Sequence, residues 1–325
     1  MTDRLAQFIA AHKESLEAAL ELWLPLSERA GAEPLNRALR YAVFPGGKRL
    51  RPMLTLMATK LVAGDLSKAL PAACAIEFLH TSSLILDDLP AMDDADLRRG
   101  RPATHLIFGE SVALLAALAL FNQSYALLAR AASDGQTATK LIAEAARCIG
   151  ANGMIGGQAV DLAPRAVKIG AEASASRNLK TTALMRLTMI AGAIASGADE
   201  ADLSALSRFG ECLGAAYQVC DDLLDELSAS ELTGKTARQD ARHLRPTSVA
   251  ELGVEGARRL AMSLAEESKA VISERFGLRH EASLLIDVVN LVMRDEGAET
   301  APEEWQRESE HSSGAIPSPC LLVDS

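Results

Sequence analysis

Apolar residues recur along this chain every three or four positions almost from end to end, the spacing of one face of a helix. Ile76, Leu79, Ser83 and Leu86 fall on one side of such a segment, and Glu77, His80, Leu84 and Asp87 step along the neighbouring stripe. Leu203, Leu206, Leu213, Tyr217, Cys220 and Leu224 mark another helix, expected to begin near Asp199. No run of strand-like alternation competes with this pattern. Glycine and proline punctuate it at Gly31–Pro34, Pro45–Gly47, Gly64–Asp65, Gly100–Pro102, Gly135, Gly150–Gly153, Gly170, Gly197 and Gly234. Helices of roughly 10 to 28 residues are predicted between the marks, with Ser67 as the expected cap of the one leading to Asp87. Short links and mutually apolar faces predict an all-α, single-domain bundle over residues 1–295. The text then turns polar, acidic and proline-containing, so 296–325 is expected to be a disordered tail.

Composition narrows the class. Residues are 49% hydrophobic but only 4% aromatic, which suits helix on helix and argues against a β-sandwich. A net charge of −10 excludes a general nucleic-acid binder and makes the local basic groups at 48–51 and 98–101 conspicuous. Five scattered cysteines without CxxC spacing read as reduced thiols of a cytoplasmic protein. The first 20 residues form a charged amphipathic helix with no signal-peptide pattern. The most apolar run, Val112 to Phe121, falls short of the roughly 20 residues that a bilayer span needs, so no membrane span is expected.

Candidate chemistry begins in the stretch from Glu77 to Pro102. Five aspartates (Asp87, Asp88, Asp93, Asp94, Asp96) and three arginines (Arg98, Arg99, Arg101) follow an apolar segment there. Carboxylates so crowded repel one another unless a cation sits among them, and Mg2+ takes oxygen ligands and shares them with phosphate. Arginine forks suit the same phosphate. Pro90 is expected to end the helix and turn the later aspartates toward the first pair. A second cluster, Gln218, Asp221, Asp222 and Asp225, falls on one polar stripe of an otherwise apolar helix. Like charges four apart destabilise a bare helix, so three acids on one stripe point to a cation between them. Phe44 to Pro52 (FPGGKRLRP) places Lys48, Arg49 and Arg51 at a helix start, either an anion site or a charged surface loop. Gln158 and Asp161 are polar points in GMIGGQAVDL, and the pattern alone leaves Lys180 undecided between solvent and ligand. No P-loop and no hydrolytic triad is present. Two acidic stripes with basic neighbours describe a metal-clamped diphosphate that is made to leave.

The chain resembles the trans-polyprenyl diphosphate synthases, and most of all the bacterial geranylgeranyl diphosphate synthases, over about residues 35 to 290. The resemblance rests on GGKRLRP (46–52), DDxxxxD (Asp87 to Asp93) with RRGRP after it, GGQAVDL (156–162), LKT (179–181), YQVCDDLLD (217–225) and GK (234–235). It implies an isoprenoid-synthase-type helical bundle around a central cavity, usually a homodimer, catalysing head-to-tail 1'-4 condensation. Carried over by position, Asp87, Asp88 and Asp93 bind Mg2+ on one side and Asp221, Asp222 and Asp225 on the other, three ions per active site. Arg98, Lys180, Thr181, Gln218 and Lys235 contact the allylic diphosphate (dimethylallyl, geranyl or farnesyl). Lys48, Arg51, His80 and Arg99 hold isopentenyl diphosphate. The departing diphosphate accepts the proton, so no protein base is implied. Arg245 stands where many relatives have lysine, which puts that contact in doubt, and no basic C-terminus closes the site.

Small residues at Ser82 and Ser83, one turn before Asp87, imply room for a twenty-carbon product, geranylgeranyl diphosphate. Thr81 and Leu84 could crowd that floor, which leaves farnesyl diphosphate as the alternative. A catalytically silent partner subunit would be expected to lose an aspartate motif. A terpene cyclase would be expected to vary the second motif and lack GGKRLRP.

Overall fold

The computed structural model describes residues 1–162, 179–231, 247–277 and 279–294. Helix α1 spans Asp3–Trp23, α2 Glu33–Val43, α3 Leu50–Leu61 and α4 Leu66–Asp87. A two-residue hairpin follows, β1 Leu97–Arg98 paired antiparallel with β2 Arg101–Pro102. Then come α5 Thr104–Phe108, α6 Glu110–Ala131, α7 Gly135–Ile149 and α8 Met154–Leu162. The last four helices are α9 Leu179–Ala195, α10 Glu200–Glu231, α11 Ser248–Phe276 and α12 His280–Arg294. Among the described residues the hairpin is the one departure from an all-helical reading. It forms because Gly100, at φ 72, closes a turn too tight for alternation to announce.

α4 sits at the centre because it is apolar nearly all round, as an interior helix must be. It packs against α1, α3, α6 and α9, while α10 lies between α9 and α11. Its N-cap is Asp65, not Ser67: the Asp65 carboxylate accepts from the Ser67 backbone N–H at 2.9 Å and from its hydroxyl at 2.7 Å. α10 does begin beside Asp199, whose carboxylate accepts from the Asp202 backbone N–H at 2.7 Å. Gly109, at φ 81, breaks α5 from α6, and Gly253 kinks α11, two bends that the punctuation missed. Four of the five cysteines are described; all four are buried and none is in a disulfide with another described residue.

Two described helices, α4 and α6, are long and apolar enough to cross a bilayer. The run from Val112 therefore continues further than expected, because Asn122 and Gln123 do not end the helix. In α4 the most apolar window is 78% buried, so its hydrophobicity is that of a core. In α6 only 39% is buried, which leaves an apolar face outside. The expected tail, 296–325, lies outside the described residues.

Candidate active site

α4 delivers the first carboxylates at its C-terminal end, and the chain after Pro90 doubles back over them. The backbone N–H of Asp93 donates to the Asp87 carbonyl at 2.9 Å, and that of Ala95 to the Asp88 carbonyl at 3.2 Å. Both acids are buried and carry a cation each. Lys180 Nζ lies 2.8 Å from Asp87 Oδ2. Arg98 Nε donates to Asp88 Oδ1 at 2.9 Å, and its Nη2 bonds the same oxygen. Burial pushes the Asp87 carboxyl up, Lys180 pulls it back, and neighbouring Asp93 adds to the rise.

The second acidic stripe reaches the same place through the first turn of α9. Thr181, next to Lys180, donates its hydroxyl to Gln218 Oε1 at 3.0 Å. Gln218 Nε2 in turn donates to Asp222 Oδ1 at 3.2 Å. Asp222 is buried and its other oxygen accepts the backbone N–H of Ser248 at 2.7 Å, where α11 begins. Asp221, beside it, is exposed. Tight packing fixes this turn: a Cβ on Gly157 of α8 would stand 2.6 Å from the Lys180 backbone nitrogen. Gln158 approaches Met92 of the aspartate loop at 4.0 Å, and its Oε1 is buried with no partner among the described residues. Asp225 lies on α10 with its side chain outside the described residues, as are Lys235 and Arg245 entirely. Among the described residues no three acidic, Cys or His groups form a ready-made cage. The donor set is all carboxylate oxygen beside cationic side chains, which fits a hard cation shared with phosphate better than a closed protein site.

A third group is cationic. Arg51 of α3 and His80 of α4 meet at 3.4 Å, Nη1 to Nε2. The Arg51 Nε is buried with no partner among the described residues. Arg99 comes from the hairpin to lie over Gly47, where a Cβ would stand 3.0 Å from its Cζ. Burial first, and then Arg51, Arg99, Arg98 and Arg49, hold the His80 imidazole well below its ordinary range. Clustered cations that depress a histidine this way describe an anion subsite. Exposed Lys48 is on the same loop.

Packing separates the two adjacent serines of α4. Ser82 is buried and its hydroxyl donates to the Ala117 carbonyl of α6 at 2.9 Å. Ser83 is half-buried and its hydroxyl returns to the His80 carbonyl of its own helix at 2.8 Å. A cavity of about 610 Å3 lies between α7, α9 and α10 and touches none of the expected site residues. A smaller one, about 70 Å3, lies against Asp88, Arg98, Arg99 and the unpartnered Thr81 hydroxyl. The sequence placed Arg49 in the anion loop and Glu77 on the His80 stripe but showed no sign of their pairing with each other and with Glu17, because these residues lie on different elements.

The first turn of α9 thus ties the two acidic stripes together, while Arg51, His80 and Arg99 gather separately around the starts of α3 and the hairpin. Residues 32–286 match the polyprenyl synthetase family model, and the chain belongs to that family. It is a prenyltransferase, of a family that elongates prenyl chains from isopentenyl and allylic diphosphates. The chain is 40% identical over 257 residues to geranylgeranyl pyrophosphate synthase 6, mitochondrial, of Arabidopsis thaliana, covering 76% of this chain and 75% of that one. A crystal structure of an FPP/GFPP synthase from Zymomonas mobilis is similar at TM-score 0.79 and 32% identity, over 90% of this chain and 100% of that one. A geranyltransferase from Legionella pneumophila is similar at TM-score 0.77 and 27% identity, over 90% and 97%.

Proposed function

We propose that this chain is a Mg2+-dependent geranylgeranyl diphosphate synthase. It would join isopentenyl diphosphate head to tail to dimethylallyl, geranyl and farnesyl diphosphates in turn. The observation that carries the reading is the first turn of α9, where Lys180 holds Asp87 while Thr181 holds Gln218 and, through it, Asp222. Asp87, Asp88 and Asp93 with Asp221, Asp222 and Asp225 would hold Mg2+, three ions per site, whose charge makes diphosphate a leaving group. Arg98, Lys180, Thr181, Gln218 and Lys235 grip the allylic diphosphate, and fixed donors there stabilise charge as the C–O bond breaks. Lys48, Arg51, His80 and Arg99 orient isopentenyl diphosphate so that its double bond forms the new C–C bond. The proton then lost passes to the released diphosphate.

The small side chain of Ser83 below Asp87 and the name of the Arabidopsis relative support a twenty-carbon product. Thr81 and Leu84, which line the small cavity, keep farnesyl diphosphate as the second reading, and the Zymomonas neighbour is named an FPP/GFPP synthase. The exposed leucines of α6 support a homodimer. Four buried cysteines outside any disulfide are in keeping with a cytoplasmic protein. The test is incubation with labelled isopentenyl diphosphate and each allylic partner, followed by chromatography of the dephosphorylated products. Twenty-carbon alcohol is expected, abolished by chelator and restored by Mg2+. Products stopping at fifteen carbons would make it a farnesyl diphosphate synthase, and no product with Mg2+ would make it a silent partner subunit.

A further inference from the structure

Arg49 sits between the two expected isopentenyl diphosphate ligands Lys48 and Arg51, yet it points away from solvent. Its side chain is 3% exposed and its backbone is left-handed, at φ 50. Every guanidinium nitrogen is engaged. Nε and Nη2 donate to the two oxygens of Glu17 on α1 at 2.8 and 3.1 Å. Nη2 also donates to the Val43 carbonyl at 2.8 Å, and Nη1 to Glu77 Oε1 on α4 at 2.6 Å. The loop is shaped around this group: Gly46 has φ 81, and a Cβ there would stand 2.2 Å from Arg49 Cζ. Glu77 is 1% exposed and lies one turn before His80. It is also the acidic group whose charge acts on both Arg51 and Arg99.

We propose that Arg49 and Glu77 are a positioning pair for the isopentenyl diphosphate subsite, a role that rests on the function proposed above. Arg49 hooks the Gly46–Arg51 loop inward onto α1 and α4, so that Lys48 and Arg51 emerge in register with His80 and Arg99. Glu77 supplies a fixed negative charge behind these cations and offsets their mutual repulsion while no substrate is bound. Neither residue touches the allylic side, where Lys180, Arg98 and Gln218 work through different contacts.

The test is steady-state kinetics of the full chain with Mg2+, varying each diphosphate separately. Glu77→Gln keeps the shape and removes the charge. It is expected to raise KM for isopentenyl diphosphate about tenfold, with kcat and the allylic KM within about twofold. Arg49→Met should do the same, and the double variant should be no worse than either single one, as members of one pair are non-additive. Should Glu77→Gln not fold, Glu17→Gln acts on the same guanidinium from a carboxylate that is 29% exposed, with the same selective rise of about threefold expected. KM values that move together for both substrates, that do not move, or whose effects multiply in the double variant overturn the proposal. A wild type that condenses neither substrate pair overturns the function above and this pair with it. An active wild type with unaltered variants overturns the pair alone.

Discussion

Ser82 and Ser83 are adjacent in sequence but about 100° apart around α4, and on the proposed function the difference separates a packing residue from one that a growing chain would meet. Ser82 is locked to the Ala117 carbonyl on α6, where both residues are buried between the two helices. Phenylalanine there overpacks a core contact and loses a buried hydrogen bond, at about 1–3 kcal/mol, visible as a lower denaturation midpoint. Ser83 stands one turn below Asp87 with its hydroxyl turned back onto its own helix, so Ser83→Phe adds bulk without breaking a cross-helix bond. It should fold and shorten the product by one isoprene unit, read by chromatography of the dephosphorylated alcohols. His80 carries a second prediction. Its pKa is held below the ordinary 6.5, so the unfolded chain binds the proton first as pH falls. The stability it permits is complete above about pH 6.5 and is lost as pH drops from there, by up to about 1.4 kcal/mol per pH unit. His80→Gln should flatten that acid limb in denaturant unfolding between pH 5 and 8.

At the scale of elements, α10 shows two aspartates of one motif doing different work. Asp222 accepts the first backbone N–H of α11 across the cleft, whereas Asp221 is exposed beside it. Asp222→Ala leaves Ser248 N–H without its acceptor and should cost about 1–3 kcal/mol of stability as well as activity. Asp221→Ala should remove activity while leaving Ser248 N–H its acceptor, and so spare the share of stability that Asp222 provides. Calorimetry beside a turnover assay separates the two. The stripe that carries both residues was legible in the sequence because a helix repeats every 3.6 residues, and Gln218, Asp221 and Asp222 obey that period. So was the bundle, since apolar spacing and glycine punctuation are local properties of the chain. What remained hidden were the pairings between elements. Nothing near Asp222 in sequence names Ser248, and nothing near Lys180 names Asp87. Arg49 looked like one more cation of an anion loop, because its carboxylates belong to α1 and α4. The Arg98–Arg101 hairpin was equally silent, as two residues per strand leave no alternation to read.

At the scale of the whole molecule, the described residues include an apolar surface without a cover. Leu106 and Ile107 on α5 are 54% and 50% exposed, and Leu114, Leu115 and Leu118 on α6 are 44%, 54% and 53% exposed. Their spacing puts the α6 leucines on one stripe opposite Ala113, Ala116, Ala117 and Leu120, which face the core. Monomers rarely expose a contiguous patch of this kind, and a second copy of the same surface is its natural cover. The consequence reaches the site. α6 holds Ser82 through Ala117, and α4 carries Ser83 and Asp87, so whatever steadies α6 also steadies the C-terminal half of α4. Leu115→Glu with Leu118→Glu places charge on the outer stripe and leaves the inner one untouched. Sedimentation should show the wild type near twice the chain mass of 34.4 kDa and the double variant near that mass. The helical circular dichroism should be retained, because no core contact is lost. Turnover should fall several-fold and product lengths should broaden, as α6 loses its outer support. A wild type that already sediments as a single chain, or a monomeric variant with unchanged products, would detach this face from catalysis and leave the floor to α4 alone.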